Sequence, residues 1–257
     1  MVQIKKRAPI QIPATATKEP SNPTKLSICL MGPPKFGKSD WANQLGDALF
    51  IDTEDGLKEL KTRDLRCLNW ETYLDIIDEL ESAEPNYDFL VLDTVSRLYD
   101  QCFKYVCKKN GFEHPADQAH GKGWSLIGKE WSEGIWRANS LNAGCIFIAH
   151  SKQKEVDVIR NGFKTKVQQE VMSLPPSGAE NVNTLVDCIL TGGYVQTANN
   201  QSTSEDRVWY TRSTSANQAG SRFLLPETIE WDPKHFKAAL TQKEKKSASK
   251  PRRRRKQ

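Results

Sequence analysis

Residues 32–39 read GPPKFGKS, and no other stretch of the chain restricts the fold as strongly. The octet is a full match to G-x-x-x-x-G-K-[ST]. That pattern has a physical meaning only where a buried strand runs into it and a helix leaves it. Both neighbours are present: Lys25 to Met31 (KLSICLM) is a short apolar run, and Trp41, Leu45 and Leu49 follow at helical spacing. Gly32 and Gly37 let the backbone turn so that successive N–H groups surround a phosphate at the positive end of the next helix. In the segment Gly32, Pro33, Pro34, Lys35, Phe36, Gly37, Lys38, Ser39 and Asp40, Lys38 is the residue to reach β and γ phosphates and Ser39 the one to offer a hydroxyl to Mg2+. An accidental Gly-Lys-Ser turn is the bland alternative, and the flanking elements argue against it. The expected ligands are ATP and Mg2+.

The rest of the chain alternates strand and helix. Ala48 to Asp52 (ALFID), Phe89 to Leu92 (FLVL) and Gly144 to Ala149 (GCIFIA) are short apolar runs that suit buried strands. Tyr73 to Leu80 carries Leu74, Ile77 and Leu80 at helical spacing, and further helices are expected through about Lys108 and over Ser125 to Leu141. Strands buried on both faces and separated by helices make a mostly parallel sheet in an α/β fold. Cys188 to Tyr194 and Arg207 to Arg212, flanking ANNQSTSED, read as a C-terminal antiparallel hairpin. Two polar stretches, Lys109 to Gly123 and Ser151 to Gly178, read as loops. The second exceeds the roughly 12–15 residues of an ordinary connection, which marks a functional or mobile segment.

Charge divides the chain of 257 residues into three parts. The net charge is +5, but residues 1–25 carry five basic and one acidic residue, residues 243–257 nine and one, and the body between them 23 and 30. An acidic body therefore has basic ends. Residues 1–24, with four prolines and no apolar period, are expected as a flexible arm; 25–240 form the folded domain; 241–257 form a basic tail. No run approaches the roughly 18–20 apolar residues of a membrane span, and the start lacks a signal-peptide core, so a soluble intracellular protein with no membrane partner is expected. Cys29, Cys67, Cys102, Cys107, Cys145 and Cys188 are scattered without a C-x-x-C pair and read as core thiols of a reducing compartment. None of the four histidines stands at zinc-ligand spacing.

A phosphate loop needs a carboxylate near its metal and a group that orients water. Asp93 ends FLVLD, at the carboxyl edge where α/β sheets bind ligands, and is the metal-site candidate; a helix cap is the alternative. Glu54, in FIDTEDGL, follows the second strand and is the first choice of catalytic base, with Asp52 or Asp55 in reserve and a solvated loop carboxylate as the bland reading. His150 ends GCIFIAH, where its side chain would face the γ phosphate, although a lone histidine is often structural.

The order GPPKFGKS, FIDTEDG, FLVLDT, FIAHS, with a polar segment after each of the last two, resembles the RecA-like ATPase core across about residues 26–232. More narrowly it is similar to the short AAA-type ATPases of bacteriophages, which include RecA-like single-strand annealing proteins. The resemblance implies a RecA-like P-loop NTPase core, with Glu54 as catalytic glutamate, Asp93 as metal-site aspartate and His150 as polar nucleotide sensor. It also implies a ring or filament of identical subunits with ATP sites between them, in the cytoplasm of a bacterial host. Such sites are usually completed by a cation from the next subunit, for which RVWYTR offers Arg212 and NQAGSR offers Arg222. Surface salt bridging is the alternative for either.

The load on this engine is less legible than the engine. Cations and aromatic residues gather in the two polar stretches: Lys108, Lys109, Lys122 and Trp124 in the first, Lys152, Lys154, Arg160, Phe163, Lys164 and Lys166 in the second. By resemblance these segments line a single-stranded DNA path, where cations follow phosphates and rings stack on bases. KPRRRRK, with Arg252, Arg253, Arg254 and Arg255, cannot pack and awaits a polyanion: nucleic acid, or the acidic tail of a single-strand DNA-binding protein. It also reads as a nuclear localisation signal, which has little meaning in a phage protein. The leading expectation is a recombination ATPase that anneals or pairs single strands; a nucleotide-switched loader of phage replication is the alternative. A small-molecule kinase would carry an arginine-rich lid, and no such cluster stands between the third strand and the hairpin.

Overall fold

The computed structural model describes residues 23–160, 163–199 and 202–241. Almost all of the expected N-terminal arm and basic tail, Arg252 to Arg255 included, lies outside them, as does the side chain of Arg160.

Each apolar run forms a buried strand: β1 (Ser27–Gly32), β2 (Ala48–Asp52), β4 (Phe89–Asp93) and the first part of β5 (Gly144–Arg160). They pair in parallel, in the order β1, β5, β4, β2, with the exposed β3 (Arg63–Arg66) at the edge. Helices α1 (Lys38–Leu45), α2 (Trp70–Ser82), α3 (Val95–Asn110), α4 (Lys122–Asn139) and α5 (Pro176–Leu185) make the crossovers. On the other side of β1 the sheet continues through β7 (Cys188–Asn199) and the antiparallel β8 (Ser202–Tyr210), with the short strands β9 (Gly220–Ser221) and β10 (Thr228–Glu230). The last element, α6 (Pro233–Thr241), packs on α1. The sheet is thus mostly parallel and flanked by helices, with antiparallel strands at its C-terminal side.

Strand alternation splits the core into two layers. Cys29, Met31, Leu90, Leu92, Cys145 and Phe147 face α2 to α5, where Trp70, Tyr73, Tyr99 and Trp131 are buried. Ile28, Leu30, Phe89, Val91, Ile146 and Ile148 face α1 and α6, against Trp41, Trp209 and Phe236. Burying one such tryptophan removes roughly 150–250 Å2 from water, worth about 4–6 kcal/mol. All six cysteines are free and buried; burial pushes the Cys29 thiol up to about 12, which makes it unreactive at neutral pH.

The second polar stretch is not a loop. Residues 151–172 form an antiparallel ribbon in which β5 runs on past the sheet and returns as β6 (Phe163–Met172), with Ser151 opposite Met172 and Arg160 opposite Phe163; α5 follows. Apart from Met172, buried at its root, the described side chains of the ribbon are exposed or half-buried, so its sequence shows only the short alternation of Val156, Asp157 and Val158. The first stretch is shorter than expected: α3 closes on the left-handed Gly111, two 3-10 turns follow, and α4 already begins at Lys122. Because α4 ends at the amino edge of the sheet, where Asn139 accepts a hydrogen bond from Ser27, its start at Lys122 lies toward the carboxyl side.

Candidate nucleotide site

The parallel register sets Gly32 beside His150 and Asp52 beside Asp93, so the ends of four neighbouring strands bring the expected residues to one edge. The loop that leaves β1 has two left-handed residues, Lys35 with φ 64° and Gly37 with φ 94°. Gly37 is the N-cap of α1 and has no side chain to satisfy the first helical N–H groups. Those donors are left for an anion, at the positive end of the helix. Lys38 lies nearly buried across the loop, donating to the carbonyls of Gly32 at 3.0 Å and Pro33 at 2.8 Å. The Asp40 carboxylate accepts from Gln44, one turn further along α1.

Ser39 Oγ donates to Asp93 Oδ2 at 2.5 Å. Burial pushes the Asp93 carboxyl up to about 6; Glu54 and Asp52 add to the shift, while Ser39 and Lys38 oppose it. A buried carboxylate whose nearest hydrogen-bond donor is a serine hydroxyl is short of positive charge. That donor set, hydroxyl and carboxylate oxygen, fits Mg2+. Burial also lowers Lys38 to about 8, although Asp93, Glu54 and Glu170 each oppose the shift. Both charges are therefore held at a cost that a phosphate and a cation would relieve.

Glu54 is fixed from two sides. Thr94 Oγ1 donates to its Oε1 at 2.7 Å, and His150 Nε2 stands 3.6 Å from its Oε2. Thr94 is also the N-cap of α3 and receives its own hydrogen bond from Arg97 N–H. The peptide between Asp93 and Thr94 is cis. Thr53 spans both carbonyls there, with its hydroxyl 3.0 Å from Asp93 O and 3.2 Å from Thr94 O. The reserve candidates serve otherwise: Asp52 Oδ1 accepts from the N–H groups of Glu54 and Asp55, and Asp55 pairs with Lys58 and Arg66. His150 Nδ1 is buried with no hydrogen-bond partner among the described residues, so that ring nitrogen is unsatisfied. Sequence reasoning missed Thr94, which holds Glu54, and Glu170, which accepts from Ser151 at the root of the ribbon and bears electrostatically on Lys38.

Arg212 and Arg222 do not reach the chain's own phosphate loop. Arg222 pairs with Asp187 at the amino edge, where Asp187 also accepts from Ser27 N–H. Arg212 lies past the end of β8 and donates to Leu225 O at 3.3 Å. The ribbon's cations are partly engaged as well: Lys164 with Asp157 at 2.8 Å, Lys166 with Glu155 at 2.6 Å, and Lys152 with Leu174 O at 3.1 Å, while Lys154 is exposed. The ribbon tip presents Ile159 and Phe163, 80% and 75% exposed. In the first stretch Lys109 sits over the Tyr105 ring and near Glu130, Lys108 and Lys122 are exposed, and Trp124 packs edge-on against His114.

A phosphate loop between β1 and α1, an aspartate at the end of β4 and a glutamate after β2 define an α/β P-loop nucleoside triphosphatase. A family model described as an AAA domain matches residues 24–223, and the chain belongs to that family: it is an AAA-type P-loop ATPase. No curated protein gives a significant match. Among the described residues no helix is long and apolar enough to cross a membrane.

The two shifted groups set a pH window. Asp93 must be ionised to hold a cation and Lys38 protonated to meet a phosphate. The kcat/KM for ATP is therefore expected to fall as pH drops through about 6, where Asp93 gains a proton, and as pH rises through about 8, where Lys38 loses one. A steady-state pH profile checks this; a flat alkaline limb would contradict the Lys38 assignment.

Proposed function

We propose that this AAA-type ATPase hydrolyses ATP with Mg2+ and couples turnover to single-stranded DNA, in the manner of the phage recombination proteins that anneal or pair strands. The observation that carries the hydrolytic reading is Glu54, a carboxylate held by Thr94 beside His150 and close enough to Lys38 to shift it. Glu54 takes a proton from water as the water oxygen bonds to the γ phosphorus. The bond to the β-γ bridging oxygen breaks, and ADP leaves with the electron pair. Lys38 and the N–H groups of the loop hold the charge that gathers on the phosphate oxygens. Ser39 and Asp93 would hold Mg2+, which would supply further neutralisation of the phosphate charge.

The DNA reading rests on placement. The ribbon grows directly out of β5, one residue past His150, and carries Lys154 and the exposed ring of Phe163. The start of α4, with Lys122, lies toward the same side. The pairs Lys164 with Asp157 and Lys166 with Glu155 are solvent-exposed, and such pairs contribute only about 0–1 kcal/mol, so DNA phosphates can compete for these lysines. The alternative is a nucleotide-switched loader with little turnover, whose ribbon binds DNA only in one nucleotide state. Assembly into a ring or filament, with Arg212 or Arg222 serving a neighbour's site, belongs to the proposal.

ATP turnover measured with and without single-stranded DNA over a salt series tests it. Stimulation by DNA that fades with salt supports the recombination ATPase. Nucleotide-dependent binding without turnover supports the loader. Failure to bind single-stranded DNA at low salt, with and without ATP, removes both.

A further inference from the structure

The two arginines suggested by the sequence lie away from the phosphate loop, but a third lies on it. Arg207, on β8, stands opposite Tyr194 of β7. Its Nη1 donates to the Phe36 carbonyl at 3.1 Å, and its guanidinium stacks over the ring of Trp231 at 4.1 Å. The backbone ties the two together, since Trp231 N–H donates to Arg207 O at 3.1 Å. A Cβ placed on Gly37 would fall 2.7 Å from Arg207 Nη1 and 3.0 Å from Trp231 Cζ2, so the pair covers the outer side of the loop at that residue.

The covalent geometry of the loop gives this contact a consequence. In a trans peptide the carbonyl and the next N–H point in opposite directions within one plane. Holding the Phe36 carbonyl outward therefore aims the Gly37 N–H inward, where a phosphate oxygen would accept from it. The ring of Phe36 is fixed at the same time, edge-on against Trp209 and Tyr194.

We propose that Arg207, braced by Trp231, is a positioning residue that sets the phosphate loop for the polyphosphate of a nucleotide and adds positive charge at its rim. It acts in the chain's own site, unlike a cation lent by a neighbour. The proposal rests on the ATPase reading of the loop. Because the contact is made whichever phosphates are bound, Arg207 contributes to ATP and ADP alike.

The test is to titrate the full chain, with Mg2+ present, with ATP and with ADP by calorimetry, for the wild type, Arg207→Ala, Arg207→Lys and Trp231→Ala, alongside melting with and without nucleotide. Arg207→Ala frees the Phe36 carbonyl, so the Gly37 N–H is no longer held inward, and removes a positive charge at the rim of the loop; both nucleotides should bind about tenfold more weakly. KM should rise with kcat little changed, the mark of an interaction made equally before and during reaction. Arg207→Lys keeps charge and a donor but not the flat stack, and should recover part of the loss. Trp231→Ala should weaken binding, and the double variant should be no worse than Arg207→Ala alone. The melting temperature without nucleotide should drop modestly in Arg207→Ala and more in Trp231→Ala, whose ring packs against the core, while in both the rise on adding nucleotide shrinks. Unchanged nucleotide affinity in Arg207→Ala overturns the proposal; if that variant melts early, unchanged affinity in Arg207→Lys and Trp231→Ala does the same. A wild type that binds no nucleotide would instead overturn the ATPase reading itself.

Discussion

Lys38→Ala abolishes ATP turnover: kcat is expected to fall by at least about 100- to 1,000-fold, the loss that follows removal of one preorganised group facing developing charge. The lysine is the only side-chain cation of the loop turned into it, lying over Gly32 and Pro33 in readiness for a phosphate. Burial already lowers it to about 8, so the protein holds this charge against its own environment. Such a charge meets its compensation when the phosphates arrive. Nucleotide binding should weaken together with turnover, because the same amine contacts ground state and transition state. Turnover at the wild-type rate by the alanine variant would show that hydrolysis occurs elsewhere on the chain.

Glu54→Gln should separate the two steps. The amide oxygen of glutamine still accepts from Thr94, so the loop keeps its shape, but the side chain has no basic oxygen to take a proton from water. Loss of a general base costs about 100- to 10,000-fold in rate. ATP affinity should stay within about threefold of the wild type, well under the factor of ten that 1.4 kcal/mol represents. Single-turnover hydrolysis and nucleotide titration on the same preparation check both halves. A variant that hydrolyses normally would pass the role of base to His150 or to Glu170.

Local features carried through from sequence to structure, and distant ones did not. The phosphate loop is eight contiguous residues whose shape is set locally, by left-handed Lys35 and Gly37, so the sequence nearly contains it. Asp93 and Glu54 were legible because each follows an apolar strand, which fixes both its edge and its direction. The ribbon was hidden for a physical reason: β5 beyond Ser151 begins with the exposed run Lys152 to Glu155 and has only Val156 and Val158 half-buried, too short a period to mark a strand. Arg207 meets Phe36 across 171 residues, and no local pattern predicts such a contact. One clue was present. In RVWYTR, Arg207 shares a strand face with Trp209, and the burial of Trp209 against Phe36 aims that face at the loop. Reading the alternation would have favoured Arg207 over Arg212, which lies past the end of the strand.

The floor beneath the loop is made by residues without side chains. A Cβ at Gly192 would sit 2.4 Å from Cε1 of Phe36, and the facing Gly32 would meet the Gly192 backbone at 3.5 Å. Residues 36 and 192 are therefore one steric decision made at two places in the gene. A methyl group at 192 would force the ring of Phe36 to move from its present place against Trp209 and Tyr194. Any lineage in which the fifth residue of the loop drifts to a small side chain should be the one in which β7 is free to drop its glycine, so the two positions should vary together.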